Sequence, residues 1–459
     1  MAQRFDAIIV GAGQAGPSLA GRLTAAGQTV AMIERKLFGG TCVNYGCIPT
    51  KTLVASAHAA HVARRGPEFG VNTGTEGSVT VDMAAVKARK DRISIADREG
   101  VESWLDGMQG CTVIRGHARF ESAHTIRVGD ELLEADRIFL NVGGRAVVPE
   151  IPGLAELDYL TNVGILELDS IPEHLVVIGG SYIALEFAQM HRRFGARVTV
   201  VERGPRLTAR EDEDVSAAIK EILEAEGIDV VLNADAISFT KQDSGFTVTP
   251  REGAQPIAGS HLLVAVGRQP NTDDLGLDVA GVETDGRGYV VVDDQLRTSV
   301  GHIWAMGDCN GRGAFTHTSY NDFEIVAANL LDDDPRKVSD RVTTYALYID
   351  PPLGRVGQTV AEVRRSGRKA LVGKRPMTRV GRAVEKGETE GFMKVVVDAE
   401  TGQILGASIL GVGGDEVVHS ILDVMNAKLP YTAISRTMHI HPTVSELVPT
   451  LLQDLKPLQ

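Results

Sequence analysis

The sequence lacks long hydrophobic runs, carries few cysteines and has no basic excess, and each shortage excludes a class of protein. No stretch reaches the ~20 apolar residues that a membrane-spanning helix needs. The N-terminal run Ala7-Ile8-Ile9-Val10 is too short for the core of a signal peptide, and Gly11 ends it. A soluble, cytoplasmic protein without membrane association is expected. Lys and Arg number 47 against 60 Asp and Glu, a net charge of −13. A nucleic-acid binder or a reader of anionic membranes would show the opposite balance. Four cysteines in 459 residues are too few for a structural disulfide framework, and two close together suggest catalysis or metal. A hydrophobic content of 43% and a charged content of 23% exclude global disorder. Glycine is the one residue in surplus: 50 of 459, about 11% against a usual ~7%. With no collagen period and no low-complexity tract, those glycines must serve particular turns.

Length alone suggests about three domains. Short β-branched runs alternate with helical stretches. A strand at Ala7–Val10, a helix at Ala15–Ala26 and a strand at Thr29–Ile33 are followed by the same grammar at Leu175–Ile178, Ile183–Phe194 and Arg197–Val201. A strand, glycine turn, helix, strand and acidic residue therefore occur twice, with Gly179 standing 168 residues after Gly11. Such βαβ alternation implies parallel sheets. A long charged helix is expected at Val81–Leu105, and short strands at Cys111–Ile114 and Ile303–Met306. The C-terminal region should hold a strand at Phe392–Val397 and a helix at Gly414–Ala427. The charge run Glu211–Asp214 reads as the solvated start of a helix at Val215–Glu226, where acids suit the dipole. Cys111 and Cys309 read as isolated buried thiols. His317 precedes a helix at Asn321–Leu331, where capping or packing competes with a place near a cofactor.

The first turn, Gly11-Ala12-Gly13-Gln14-Ala15-Gly16, is G-x-G-x-x-G between a strand and a helix. Gly11 permits a tight turn, Gly13 lets backbone N–H groups approach a pyrophosphate, and Gly16 lets the helix pack on the strand. Glu34, at the end of the next strand, can accept a ribose hydroxyl. Strand, helix and spaced acid together point to dinucleotide binding. The second turn, Gly179-Gly180-Ser181-Tyr182-Ile183-Ala184, is degenerate but keeps small residues, and Glu202 ends its second strand. An acid there prefers a free 2′-hydroxyl and so favours NAD(H), while nearby Arg203 and Arg206 leave NADP(H) open.

Cys42 and Cys47 lie in Gly39-Gly40-Thr41-Cys42-Val43-Asn44-Tyr45-Gly46-Cys47-Ile48-Pro49-Thr50-Lys51. The C-x4-C spacing matches neither a zinc C-x2-C pattern nor a thioredoxin pair, and no ligand pair lies nearby, so no metal site is expected. On a regular helix residues five apart point ~140° away from each other. Joining the two sulfurs needs an irregular turn, which Gly46 and Pro49 allow. Two buried structural thiols are the alternative; the flanking glycines and Lys51 favour a redox pair. His441 and Glu446 add a separate logic. A thiol of pKa about 8.5 needs a base to become a nucleophile near neutral pH. A histidine can take and return that proton while a carboxylate orients it. His439 is the competing histidine.

These segments closely resemble those of the flavoprotein (class I pyridine nucleotide) disulfide oxidoreductases, which include dihydrolipoamide dehydrogenase, glutathione reductase and mercuric reductase. Further anchors are Ala265-Val266-Gly267-Arg268-Gln269-Pro270-Asn271, Thr298 with Ile303–Asp308, and His439-Ile440-His441-Pro442-Thr443-Val444-Ser445-Glu446. The resemblance spans essentially the whole chain. It implies an α/β fold with two Rossmann-like FAD- and NAD-binding domains and an α+β C-terminal dimerisation domain. The implied division is 1–150 and 269–338 for FAD, 151–268 for NAD(P) and 339–459 for the interface. Gly11, Gly13, Gly16, Glu34, Thr41, Lys51 and Asp308 would hold FAD. Gly179, Tyr182, Glu202 and Gly267 would hold the nicotinamide nucleotide, with Tyr182 as its gate; an ordinary packing aromatic is the alternative for Tyr182. Cys47 would be the charge-transfer thiol and Cys42 the interchange thiol of a Cys42–Cys47 disulfide. Lys51 would pair with Glu186. The His441–Glu446 dyad would reach the cysteines of a second subunit, making an obligate homodimer with a shared active site.

The resemblance implies electron flow from NAD(P)H through FAD to a small or protein-bound disulfide, or the reverse from a dithiol. A dihydrolipoamide dehydrogenase-like reaction is the leading specific case, because it uses NAD and needs only the central pair. The sequence has no cysteine after Cys309, unlike mercuric reductases with their C-terminal pair. Asp350-Pro351-Pro352-Leu353-Gly354-Arg355-Val356-Gly357 departs from the dihydrolipoamide dehydrogenase pattern toward mercuric-reductase-like enzymes, including reactive-chlorine-resistance flavoproteins. The alternatives are a metal-ion or quinone reductase and a non-enzymatic redox-responsive flavoprotein.

Overall fold

The computed structural model describes residues 2–458 apart from 73 and 75–78. The chain termini Met1 and Gln459, which bound the expected first and last domains, lie outside the described residues. The chain forms two compact units, each assembled from three separate stretches.

The first unit comprises Met1–Leu53, Ala84–Val148 and Gly267–Asp340. Its seven-stranded sheet runs in the order Cys111–Arg115, Val30–Glu34, Gln3–Val10, Glu131–Leu140, Thr125–Val128, Ala118–Ser122, with Ile303–Ala305 also paired to Glu131–Leu140. The central pairs are parallel, and the last three strands form an antiparallel meander. Ile8, Ile9, Val30, Ala31 and Met32 have no exposed surface. Covered sheets produce such uninterrupted apolar runs instead of alternation. The helix Gly16–Ala25 packs Leu19, Ala20 and Leu23 into this core. A 24-residue helix, Met83–Asp106, accounts for the long charged stretch.

The second unit comprises Val54–Met83, Pro149–Val266 and Arg341–Gln459. One sheet is wholly parallel, in the order Asp229–Val231, Arg197–Val201, His174–Ile178, His261–Val264, Tyr159–Leu160. The helix Tyr182–Phe194 follows its central strand and is buried along most of its length. A second sheet of six strands is antiparallel, with Leu353–Gly357, Ile404–Leu410 and Phe392–Asp398 at its centre. The expected helix Gly414–Ala427 is two helices, Gly414–Val417 and His419–Asn426, separated at Val418. The helix expected at Asn321–Leu331 begins earlier, at Thr316, and takes His317 into its first turn. Among the described residues no helix is long and apolar enough to cross a membrane.

Candidate functional site

The first glycine turn is shaped by three near-contacts with backbone and amide oxygens. Gly11 has φ +105°, and a Cβ there would stand 2.3 Å from the carbonyl oxygen of Asn141. A Cβ on Gly16 would stand 2.3 Å from the Gly11 carbonyl oxygen, and one on Gly13 would be 2.8 Å from Asn141 Oδ1. Real side chains do not tolerate such distances, so space favours glycine at all three positions, and φ does so as well at Gly11. Asn141 braces the turn: its Oδ1 accepts from Gly16 N–H at 3.1 Å, and its Nδ2 donates to Met306 O at 3.0 Å. Glu34 folds back onto the turn, accepting from Ala12 N–H at 2.9 Å and from Lys36 N–H at 2.8 Å. A carboxylate has about four acceptor sites, so capacity for a hydroxyl donor remains.

The cysteine segment packs directly on this turn. Gly39 N–H donates to Ala12 O at 2.8 Å, and Gln14 Nε2 donates to Gly39 O at 3.1 Å. A Cβ on Gly40 would lie 2.9 Å from Gly13 Cα. Thr41 and Cys42 sit on the short helix Gly40–Tyr45, and a new helix, Cys47–Arg65, starts after Gly46. Gly46 has φ −134° and ψ −119°, and a Cβ there would come within 2.9 Å of Thr41 O. This interruption is the irregular turn that the spacing required.

Both sulfurs are thiols here, and the Cys42 and Cys47 side chains are hydrogen-bonded to each other. That bond, with burial, pushes the Cys42 thiol far up, while Thr316 and the positive charge of Lys51 pull the other way. Cys47 Sγ lies 3.3 Å from Thr316 Oγ1. Thr316 opens the helix Thr316–Leu331, so a hydroxyl and the positive end of a 16-residue helix face the sulfur that would carry negative charge. A cavity of about 450 Å³ opens beside Cys42, lined also by Gln14, Val43, Asp97, Val101 and Trp104.

Asp308 follows Gly307 in a 3-10 turn. Burial pushes its carboxyl up, opposed by Arg268, whose NH2 stands 3.4 Å away. At that distance the carboxylate keeps acceptor capacity for a hydroxyl donor. Asp322 holds the turn, accepting from Gly307 N–H at 2.8 Å and from Asn310 Nδ2 at 2.9 Å. Gly267 begins the last stretch of this unit, and its carbonyl accepts from Val147 N–H at 3.0 Å. A glycine turn at a helix start, a fold-back acid and a half-buried aspartate together fit the pyrophosphate and hydroxyls of a dinucleotide such as FAD.

The second turn, in the other unit, repeats the first in outline. Gly179 has φ +116°, and its Cβ would stand 2.4 Å from Ala265 O. Glu202 accepts from Gly204 N–H at 2.6 Å, and a Cβ on Gly180 would be 2.9 Å from the Glu202 side chain. The loop that follows wraps over the turn, with Thr208 N–H donating to Gly180 O at 2.7 Å. Thr208 is buried at φ +44°, an uncommon conformation for a β-branched residue.

Of the charge run Glu211–Asp214, Glu213 is solvated as expected, its side chain 91% exposed, but the other three pair with cations of the C-terminal sheet. The Glu211 side chain has no exposed surface. It accepts from Tyr182 OH at 3.0 Å, Tyr345 OH at 2.7 Å and Arg355 Nε at 3.0 Å, and also pairs with Arg355 NH2. Asp212 pairs with Lys394 at 2.7 Å, and Asp214 with Lys394 at 2.6 Å and Lys374 at 2.7 Å. Burial alone would raise both aspartates, but these lysines outweigh it and hold them below the ordinary carboxylate range. Tyr182 is thus tied down by its hydroxyl, its ring edge-on to Tyr345 at 5.4 Å. Glu186 is buried and accepts from Tyr348 N–H at 3.0 Å.

His441 Nδ1 lies 3.0 and 2.9 Å from the two carboxylate oxygens of Glu446. That pairing leaves Nε2 as the atom to exchange a proton. The His441 side chain is 80% exposed and that of Glu446 only 16%. Met438 and Ile440 beside it are 95% and 80% exposed. His439 faces Thr437 O at 3.3 Å instead of a carboxylate. Sequence reasoning missed Asn141, Thr316, Asp322, Tyr345 and Arg355. Arg355 lies in the 350–357 segment without its partner being readable there, Asp322 reaches back 12 and 15 residues to Asn310 and Gly307, and the others reach their partners from distant stretches of chain.

Comparison with known proteins agrees with this geometry. Residues 5–322 match the pyridine nucleotide-disulphide oxidoreductase family, and residues 343–452 match the dimerisation domain of the same family. The chain is 36% identical to the probable pyridine nucleotide-disulfide oxidoreductase RclA of Escherichia coli, covering 99% of this chain and 100% of that protein. It is 32% identical to a dihydrolipoyl dehydrogenase of Haloferax volcanii, over 96% and 94% of the two chains. Solved structures of E. coli RclA, described as an HOCl-induced flavoprotein disulfide reductase and in one case as a Cu(II) complex, superpose with a TM-score of 0.90 over 98% of this chain and 99–100% of theirs, at 36% identity. The chain belongs to the pyridine nucleotide-disulphide oxidoreductases, flavoproteins whose members use FAD and NAD(P)H.

Proposed function

We propose that the chain catalyses NAD(P)H-dependent reduction of a disulfide, with Cys42 attacking the acceptor and Cys47 resolving the mixed disulfide. One observation carries this reading: two thiols in hydrogen-bond contact across the helix break at Gly46, with the Thr316 hydroxyl 3.3 Å from Cys47. Gly11, Gly13, Gly16, Glu34, Thr41, Lys51 and Asp308 would hold FAD; Gly179, Tyr182, Glu202 and Gly267 would hold the nicotinamide nucleotide. When bound, FAD links the two-electron hydride carrier to thiol chemistry.

The protein's own groups handle protons and charge. Cys42, pushed up by its neighbour thiol and by burial, needs a base to become a nucleophile. His441, fixed through Nδ1 by Glu446, supplies Nε2 for that proton. Thr316 and the helix behind it stabilise Cys47 as a thiolate. The base would come from a second copy of the chain. The family's dimerisation domain and the exposure of Met438, Ile440 and His441 support a homodimer with a shared active site. A dihydrolipoamide-type exchange, whose acceptor is neutral, is one specific case of this reading, supported by Glu202 beside the second turn, which suits NAD(H). The Cu(II) complex of the E. coli relative favours metal-ion reduction as the second reading.

The test is anaerobic titration with NADH and NADPH, followed by turnover with lipoamide, glutathione disulfide, Hg(II), Cu(II) and quinones. A long-wavelength thiolate–flavin band should form on reduction, vanish in Cys47→Ser and persist in Cys42→Ser. Fast metal or quinone turnover with neither disulfide reduced would refute the disulfide reading.

A further inference from the structure

The cavity beside Cys42 has a chemistry of its own, and the inference drawn from it rests on the disulfide-reductase reading above. Its volume is about 450 Å³, enough for a small molecule. Val43, Ile48 and Val101 supply an aliphatic wall, and Gln14 an amide. Among the described residues Asp97 is the one charged side chain of the lining; the positive charge of Lys51 acts on Cys42 but is not part of that lining. Trp104 is the one aromatic ring of the lining and is 49% exposed. Its Cζ2 would lie 3.4 Å from a Cβ placed on Gly21, so the ring rests against the helix Gly16–Ala25. Gln14 is itself pinned to Gly39 O at 3.1 Å, which fixes that side of the opening.

A carboxylate in the lining repels anions, and a carboxylate and an indole together attract cations. A disulfide carrying several carboxylates would meet Asp97 with the wrong sign and find no basic side chain in the described lining. We propose that the acceptor reduced at Cys42 is a small disulfide bearing positive charge, selected by Asp97 and Trp104. The Cys42 thiolate attacks one sulfur of RS–SR, forming a Cys42–S–SR mixed disulfide and releasing RS⁻, which takes up a proton. The Cys47 thiolate then attacks Cys42 Sγ, forming the Cys42–Cys47 disulfide and releasing the second RS⁻, again protonated. The cysteine pair loses two electrons, the acceptor gains two, and NAD(P)H restores them.

Three disulfides of similar size and different charge test the proposal on the flavin-loaded enzyme: cystamine (cationic), hydroxyethyl disulfide (neutral) and dithiodipropionate (anionic). The expected order of kcat/KM is cation, neutral, anion, with about tenfold between the extremes at low salt. That spread should narrow as ionic strength rises, because exposed charges are screened. Asp97→Asn should compress the order and Asp97→Lys should invert it. Trp104→Ala should lower kcat/KM for cystamine more than for dithiodipropionate. Equal rates for the three, or an order unchanged in Asp97→Lys, would overturn the charge selection while leaving disulfide reduction standing. Reduction of none of the three by an enzyme that NADH or NADPH still reduces would overturn the disulfide reading itself, and this inference with it.

Discussion

Gly11 and Gly179 stand 168 residues apart and meet the same demand. Each takes a positive φ because a carbonyl oxygen from a neighbouring strand end occupies the place a Cβ would take. Beyond that first residue the two copies diverge. The first turn is compressed: Gly16 touches the Gly11 carbonyl, and the neutral amide of Asn141 holds the assembly together. The second accepts Ser181 and a fully buried Ala184. It is braced by a loop of strained backbone and by a buried ionic cluster centred on Glu211. A turn can thus be stiffened by close backbone approach, which demands glycine, or by charge brought from a distant sheet, which does not.

The contrast can be broken most severely at Glu211. Glu211→Ala leaves Arg355 buried without its carboxylate, so a loss of about 3–5 kcal/mol is expected, measured by denaturant unfolding. Glu211→Gln, which keeps donors and acceptors in place, should lose less. Gly16→Ala makes the first copy resemble the second. The added methyl collides with backbone, so about 1–3 kcal/mol should be lost, and the purified protein should retain less flavin. The reverse change, Ala184→Gly, should cost only about 1 kcal/mol, a helix-propensity effect. Equal losses in the two would erase the distinction between a compressed turn and a loose one. Glu202→Arg should shift preference toward NADPH by about tenfold, near 1.4 kcal/mol, read as the ratio of kcat/KM for the two nucleotides. An unchanged ratio would mean that Glu202 does not read the ribose.

The smallest effect is one of pH. Asp212 and Asp214 have carboxyls held below their ordinary range. Their stabilisation is present above roughly pH 4 and is lost as pH falls through the depressed folded values. Asp308 is shifted upward by burial, so for the flavin-free protein acid relieves a penalty there. Hydrogen exchange between about pH 5 and 3 should therefore show the loop before the helix Glu213–Ala225 losing protection before the Gly307–Asn310 turn does. Simultaneous loss would contradict the opposite signs.

Much of this was legible in the sequence because local spacing sets local geometry. The two turns, the strand Arg197–Val201 and the need for an irregular turn at Gly46 follow from period, glycine and a C-x4-C interval. His441 and Glu446 are five residues apart, so a bend after the histidine suffices to bring them together. The partners of these groups were not legible. Asn141 reaches Gly16 across 125 residues and Thr316 reaches Cys47 across 269, and no periodicity encodes such contacts. Glu211, Asp212 and Asp214 misled because a run of acids reads as solvated unless its cations are known. Here those cations, Arg355, Lys374 and Lys394, come from the C-terminal sheet.

Gly40 meets Gly13 Cα at a distance no side chain would allow, and this has a consequence for engineering. The redox segment is not a cassette. Grafting Gly39–Cys47 into another scaffold without its matching nucleotide turn would remove the surface it rests on, and a combinatorial library varying either glycine should recover them only as a pair.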